Sequence, residues 1–259
     1  MKDCREEWYD KDAKIAVTIV DVTSAAQELA RGHLAGPTST HFLTEALASV
    51  ALLGGEMSET DETVILQMKC KGPLGGFNVE CTSEGTLRGY AEKKVLDDFD
   101  GLGKPDARKV IGEAQYQVTR SVPGRILSQG ISTSIDGYLA GSLQRKACIR
   151  TEVAVSDEVE VLEARGVMVE ILPDSAIGEI EMSSCPRLSS SSRKILESLG
   201  LKHAELRKTT PLKFACRCSP DRAIAMLAAL SDEERAALPP SIDITCHMCG
   251  KTFTVKTKG

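Results

Sequence analysis

Two tight pairs of cysteines near one end constrain this chain more than any other feature. Cys216 and Cys218 stand as C-x-C, Cys246 and Cys249 as C-x-x-C, with 27 residues between the pairs. Four thiolates arranged as two pairs can close a tetrahedral shell around one zinc ion, and paired thiols can also oxidise to disulfides. One site of this kind can hold structure while reduced and report oxidation. The spacing alone leaves both a permanently closed structural Cys4 site and a redox switch open.

Composition narrows the setting. At 259 residues the chain is long enough for one large domain or two smaller ones, and 42% apolar residues suffice for a globular core. The longest apolar run, Ala223 to Leu230, falls well short of the roughly 18 residues of a membrane span. The first residues, Met1-Lys2-Asp3-Cys4-Arg5-Glu6-Glu7, mix both charge signs and read as neither a secretory signal nor an Arg-rich transit peptide. A soluble cytoplasmic protein is expected. A net charge of −5 does not read as a nucleic-acid-binding surface. The other five cysteines, Cys4, Cys70, Cys81, Cys148 and Cys185, are scattered and read as small apolar filler.

The first two-thirds read as mixed α/β. Ile15 to Val20 is a β-rich run with Ile15, Val17 and Ile19 on one face. Ser24 to Leu34 reads as a helix, with Ser24 and Gln27 spaced as a capping box. A second helix is predicted over Thr38 to Leu53, with Leu43, Leu47 and Val50 on one face and Gly54-Gly55 as its stop. Val64 to Cys70 and Phe77 to Cys81 alternate as the arms of a hairpin around Gly72, Pro73, Gly75 and Gly76; Gly85 to Tyr90 begins a third strand. Gln115–Val118 and Gly166–Leu172 are further strand candidates.

From Met182 the composition shifts. Ser183, Ser184 and Ser189 to Ser192 surround Cys185-Pro186 and suggest a linker. A short helix follows, with Ile195, Leu196 and Leu199 apolar and Gly200 at C′; it is marginal unless it leans on a neighbour.

The segment from Phe214 is more explicit. Ser219-Pro220-Asp221 carries an N-cap, a proline at N1 and an acid in the first turn, and Ile224, Leu227 and Ala228 give that helix an apolar face. Ser231 to Glu234 is a capping box opening another helix, stopped by Pro239-Pro240. Ile242 and Ile244 lead into Cys246-His247-Met248-Cys249-Gly250, a knuckle between two strands, with Gly250 suited to positive φ. His247 reads as a solvent-facing knuckle residue, because four thiolates already complete the shell. A module this small has too little core to stand alone, so a structural metal would largely be its fold.

Phe214-Ala215-Cys216-Arg217-Cys218-Ser219-Pro220-Asp221-Arg222, followed by Cys246-His247-Met248-Cys249-Gly250, closely resembles the zinc module of the 33 kDa chaperonin family, the redox-regulated heat-shock holdases. Gly72-Pro73-Leu74-Gly75, Arg88-Gly89-Tyr90, and Tyr138 followed by Ser142-Leu143-Gln144 resemble that family's upstream landmarks. Two features depart from the family pattern: Leu143 stands where an acid is usual, and only ten residues follow Cys249.

The resemblance implies a zinc-loaded, reduced form that is inactive as a chaperone. It implies that oxidation forms the disulfides Cys216–Cys218 and Cys246–Cys249, expels zinc and destabilises a metastable linker. It further implies that the oxidised protein binds unfolding client proteins and dimerises. The expected organisation is an α/β N-terminal domain (mixed sheet with helices) over residues 1–174, a linker over 175–213, and a small α+β zinc-binding module over 214–259.

The alternative function is a zinc-ribbon nucleic-acid-binding protein with a purely structural Cys4 site. Residues 211–259 carry seven Lys/Arg, five Asp/Glu and two aromatics, Phe214 and Phe253, a thin footprint for phosphate contacts or stacking. An enzyme is not expected. Gly101-Leu102-Gly103-Lys104 lacks the further glycines and Ser/Thr of a nucleotide loop, and His33, His41, His203 and His247 show no metal-hydrolase spacing.

Overall fold

Helix α2 (Pro37–Leu53) is surrounded on every side: all but two of its seventeen residues are buried, among them the polar Thr38, Ser39, Thr40, His41, Thr44 and Ser49. In the computed structural model it lies between two sheets. The structure describes residues 3–178, 187–188 and 191–257.

In chain order the strands are β1 (Cys4–Asp10), β2 (Ile15–Asp21), β3 (Thr63–Cys70), β4 (Gly76–Thr82), β5 (Thr86–Ala91), β6 (Ala114–Val122), β7 (Arg125–Ser132), β8 (Lys146–Val155), β9 (Val161–Ile171), β10 (Glu205–Pro211), β11 (Lys213–Phe214), β12 (Ser241–Thr245) and β13 (Thr252–Lys256). The other helices are α1 (Thr23–His33), α3 (Ala107–Val110), α4 (Ile135–Gly141), α5 (Ser192–Ser198), α6 (Pro220–Ala228) and α7 (Asp232–Ala236). The first sheet has the order β10-β1-β2-β9-β8, the second β11-β5-β4-β3-β6-β7, and β12-β13 form a separate hairpin. Helix α2 packs on β2, β8 and β9 of the first sheet and on β3, β4 and β5 of the second.

The two faces of the first sheet explain the apolar run at its centre. Val20, Ala164 and Met168 join the core built around α2. Ile15, Val17, Ile19, Val167 and Val169 form the opposite face and pack under Leu188, Ile195, Leu196, Leu201 and Ala204. The face that periodicity singled out in β2 is therefore the one covered by α5. That helix ends as expected, with Gly200 in the left-handed region (φ 78°). The segment that carries it is also fixed by polar contacts: Ser192 Oγ donates to Glu6 at 2.5 Å, and Arg193 stacks on the Trp8 ring at 5.0 Å. Met182, Ser183, Ser184, Cys185-Pro186, Ser189 and Ser190 lie outside the described residues.

Several local expectations change in three dimensions. The Ser24–Gln27 capping box does not form. Val22 occupies the N-cap position of α1, and the Asp3 carboxylate accepts from the Ser24 and Ala25 amides at 3.1 and 2.6 Å. A residue distant in sequence thus satisfies the orphan amides, while Gln27 reaches the backbone at Val159 and Val161. Strand β1 has no apolar alternation, yet Arg5 is buried between the sheets. Its Nη1 donates to the Ala51 carbonyl near the C-terminus of α2 at 3.2 Å, and its Nε pairs with Glu7 at 3.2 Å. Among the scattered cysteines Cys81 is buried, and Cys4, Cys70 and Cys148 are half-buried.

Glu62 ties the entry of β3 to β6. It is fully buried and accepts from Arg120 Nε at 2.6 Å and from the Ser58 and Glu59 amides at 3.0 and 3.1 Å. Burial alone would raise its pKa; the Arg120 pair and the two amides outweigh this and hold it below the ordinary carboxylate value. A carboxylate depressed in the folded state stabilises above its unfolded pKa, about 4.3, and that stability is lost as pH falls through the folded value. Glu62→Gln is expected to lower unfolding free energy by about 3 kcal/mol at pH 7, because it leaves the Arg120 charge without its partner. It should also flatten the acid limb of the stability profile; denaturant unfolding between pH 3 and 7 checks both.

Candidate metal centre

Cys216 and Cys218 follow β11, and Cys246 and Cys249 sit in the turn between β12 and β13. The turn is made by the chain itself. The Cys246 amide donates to the Lys251 carbonyl at 2.9 Å, and the Cys246 carbonyl accepts from Gly250 at 2.9 Å. Gly250 adopts φ 73°, as its place in the knuckle predicts. Ser219 caps α6 by accepting from the Arg222 amide, and Ser231 and Glu234 form the full capping box of α7.

The four sulfurs lie within 4.8 Å of one another. Cys216 Sγ is 3.7 Å from Cys246 Sγ, and Cys218 Sγ is 3.4 Å from Cys249 Sγ. A tetrahedron with metal–sulfur bonds of about 2.3 Å has sulfur–sulfur edges of about 3.8 Å, so the set is shaped to hold one metal ion. Four sulfur donors favour a soft or borderline metal over calcium or magnesium.

The electrostatics set Cys216 apart from Cys218 and Cys249. Burial raises the Cys216 thiol, but the Cys218 amide, the Arg88 guanidinium and the neighbouring thiols outweigh it and bring it down to about 7. Burial, followed by the effect of adjacent sulfurs, raises Cys249 and Cys218. His247 is exposed, as expected, and its ring lies 4.9 Å from that of Tyr90.

The module's own core is thin. Ala223, Leu227 and Val255 are its only buried members among the described residues, with Leu230, Leu238, Ile242, Ile244 and Phe253 packed around them. The apolar face expected from Ile224, Leu227 and Ala228 is corrected accordingly. Ala223 and Leu227 point inward, whereas Ile224 is 51% exposed and Ala228 is exposed too. Helix α6 packs on β13 through Ala223 and Leu227, one turn apart, so its buried stripe is narrow.

The knuckle is seated on the larger part of the molecule. Strand β11 pairs in parallel with β5, and the Ala215 amide donates to the Leu87 carbonyl at 3.1 Å. The Gly89 amide donates to the Met248 carbonyl at 3.2 Å, while the Gly89 carbonyl accepts from His33 Nε2 at 2.8 Å. Backbone approaches backbone here: a Cβ on Gly32 would lie 2.5 Å from the Cys249 carbonyl oxygen, and one on Gly250 1.9 Å from the Gly32 carbonyl oxygen. Arg88 Nη1 donates to Cys216 Sγ at 3.7 Å, and its Nε pairs with Glu80. Glu80 also receives Arg217 Nη2 at 3.0 Å. Gly32, His33 and Glu80 carry no signal in the sequence that ties them to the cysteines. Arg88 and Tyr90 stood out only as part of a family landmark.

The structure is thus an α/β body with a helix between two sheets and a cluster of four thiols at the edge of one of them. The Hsp33 protein family model matches residues 7–256, and the chain belongs to that family. It is 28% identical to the 33 kDa chaperonin of Thermus thermophilus (92% of this chain, 80% of the relative). It is 26% identical to that of Oceanobacillus iheyensis (98% and 96%). The fold matches the crystal structure of a 33 kDa chaperonin from Thermotoga maritima with a TM-score of 0.87 at 21% identity, over 99% of this chain and 96% of that one. These relatives are named as chaperonins, not as enzymes. Among the described residues no helix is long and apolar enough to cross a membrane.

Gly250→Ala adds a Cβ against the Gly32 backbone at a strained φ and should unseat the knuckle. Limited trypsin digestion is expected to cut at Lys213 or Arg217 about tenfold faster in this variant, equivalent to about 1.4 kcal/mol of docking stability. Gly141→Ala, whose Cβ meets nothing within 4 Å, should leave the rate unchanged.

Proposed function

We propose that this chain is a redox-regulated molecular chaperone of the holdase type. With Cys216, Cys218, Cys246 and Cys249 reduced and holding zinc it is inactive; after oxidation it binds unfolding proteins and prevents their aggregation. The observation that carries this reading is the convergence of four sulfurs on a module whose apolar cluster has three buried members among the described residues. Bound zinc supplies the cross-link such a core lacks, on the order of 10–16 kcal/mol of apparent binding energy in small zinc domains.

Oxidation by peroxide balances simply. Each zinc-bound thiolate pair gives up two electrons and forms one S–S bond, while the peroxide O–O bond breaks to leave two hydroxides, which take two protons from solvent to become water. The pairing implied by the family resemblance is Cys216–Cys218 and Cys246–Cys249. Sulfur contacts of 3.7 and 3.4 Å run across the pairs, so the pairing rests on the resemblance and not on distance. A disulfide sulfur is a poor metal ligand, so oxidising either pair removes half of the shell.

Loss of the shell frees Met248 and Gly250 from their seats at Gly89 and Gly32, and with them the hold of β11 on β5. The chain running into β11 is β10, which is the edge of the first sheet and exposes all but one residue, and before it α5, a seven-residue helix. A helix this short has little stability apart from its packing on the sheet. This supports treating residues 175–213 as a metastable linker between a body at 1–174 and a switch module at 214–259. Its release uncovers the apolar face of Ile15, Val17, Ile19, Val167 and Val169. The reading places the protein in the reducing cytoplasm as part of a stress response. Its partners are unfolding proteins and, once oxidised, a second copy; neither membrane nor nucleic acid belongs to it.

The test follows zinc release and client aggregation together as peroxide is added to the reduced, zinc-loaded protein at raised temperature. Release of one zinc per chain accompanied by new suppression of aggregation is expected. Zinc release without protection, or equal protection before oxidation, would return the four cysteines to a structural role. Peptide mapping of the oxidised form should recover Cys216–Cys218 and Cys246–Cys249; cross-linked Cys216–Cys246 peptides would overturn the pairing.

A further inference from the structure

We infer that Arg88 is a positioning residue for the metal centre: through it the second sheet orients the Cys216 thiolate and sets how firmly the cluster holds its metal. The inference rests on the zinc reading above and deepens it. Arg88 lies on β5 with its side chain 16% exposed, directly across the ladder from Glu80 on β4. Its Nε is anchored on that carboxylate, so the planar guanidinium cannot swing freely, and Nη1 is left aimed at Cys216 Sγ at 3.7 Å. Glu80 is itself 9% exposed and is shared with Arg217, the residue between Cys216 and Cys218. One buried carboxylate therefore holds a cation from the sheet and a cation from the cysteine loop.

Four thiolates around a dication leave an excess of negative charge, which a fixed guanidinium offsets while it donates to sulfur. The same contact distinguishes the two redox forms. A thiolate is a charged acceptor for Nη1, whereas a disulfide sulfur is neutral and a poor one, so oxidation leaves Arg88 with Glu80 alone. Arg88 thus favours the reduced, metal-holding form and ties that form to the edge of the sheet. By linkage, metal binding tightens the docking of β11 as much as docking tightens metal binding.

The experiment uses the full chain with Arg88→Met and Arg88→Lys. Zinc affinity is read by chelator competition, and the thiolate-to-metal charge-transfer absorption is read after cobalt(II) substitution. Arg88→Met is expected to weaken zinc binding about 10–100-fold and to shift the cobalt band, with Arg88→Lys, which keeps charge but not the fork, losing less. A lower melting temperature with unchanged affinity and an unchanged band would overturn the inference, because a merely structural arginine would behave so. Should Arg88→Met fail to fold, Arg88→Lys decides: weaker zinc binding supports the inference, and wild-type affinity with a wild-type band overturns it. If the unaltered chain takes up neither zinc nor cobalt, the zinc reading falls and this inference with it. If the unaltered chain binds both and the variants bind equally well, only the role of Arg88 falls.

Discussion

Four sulfurs brought from two loops to the edge of a single strand are the constraint on which the rest of this molecule turns. The part C-terminal to β11 is small, and among its described residues Ala223, Leu227 and Val255 are the buried members of its apolar cluster, with five partly buried residues around them. A cluster of that size does not hold forty-odd residues in one arrangement without a cross-link. The cysteines provide the atoms for one, and the knuckle they shape is what β5 and α1 contact at Gly89 and Gly32. The chemistry of the thiols and the docking of the module are thus one interaction seen from two sides.

That arrangement gives the intervening segment an unusual position. Strand β10 is held along one edge by β1, helix α5 from below by an apolar face of the first sheet, and the segment from its C-terminal side by the docked module. Neither is large. The Trp8–Arg193 stack and the Glu6–Ser192 hydrogen bond add contacts at the rim, where solvent weakens them. The central core around α2 takes in Leu212 and Phe214 at its edge but is otherwise closed by two sheets and fixed by buried pairs such as Glu62–Arg120. In the proposed switch, a gradient of local stability from α2 outward to the cysteines would let one part release while the rest stays folded.

What the sequence disclosed followed the range of the interactions involved. The C-terminal module was legible almost residue by residue, because its signals are local: Ser219 and Ser231 as caps, Pro220 at N1, Gly250 after the second pair. The β3–β4 hairpin and α2 were legible for the same reason, although α2 is buried on all sides and not along one face. Strand β1 was not, since its charged residues hide a position whose one buried guanidinium is satisfied by α2 and Glu7. The Ser24–Gln27 pattern was misleading because Asp3 is folded in to do that job. Of the centre, the four cysteines that converge were readable as two pairs from their spacing, but Arg88 and Cys216 stand 128 residues apart and are brought together by the pairing of β11 with β5.

The most direct test is hydrogen exchange on the full chain in two states, reduced with zinc and fully oxidised by peroxide. Oxidation is expected to abolish protection first at Ala215 and across 241–256, and then across 192–211. Residues 15–21 and 161–171 should remain protected. A fully oxidised, zinc-free protein that keeps its slow exchange at Ala215 and across 192–211 would contradict the coupling between the cysteines and the fold.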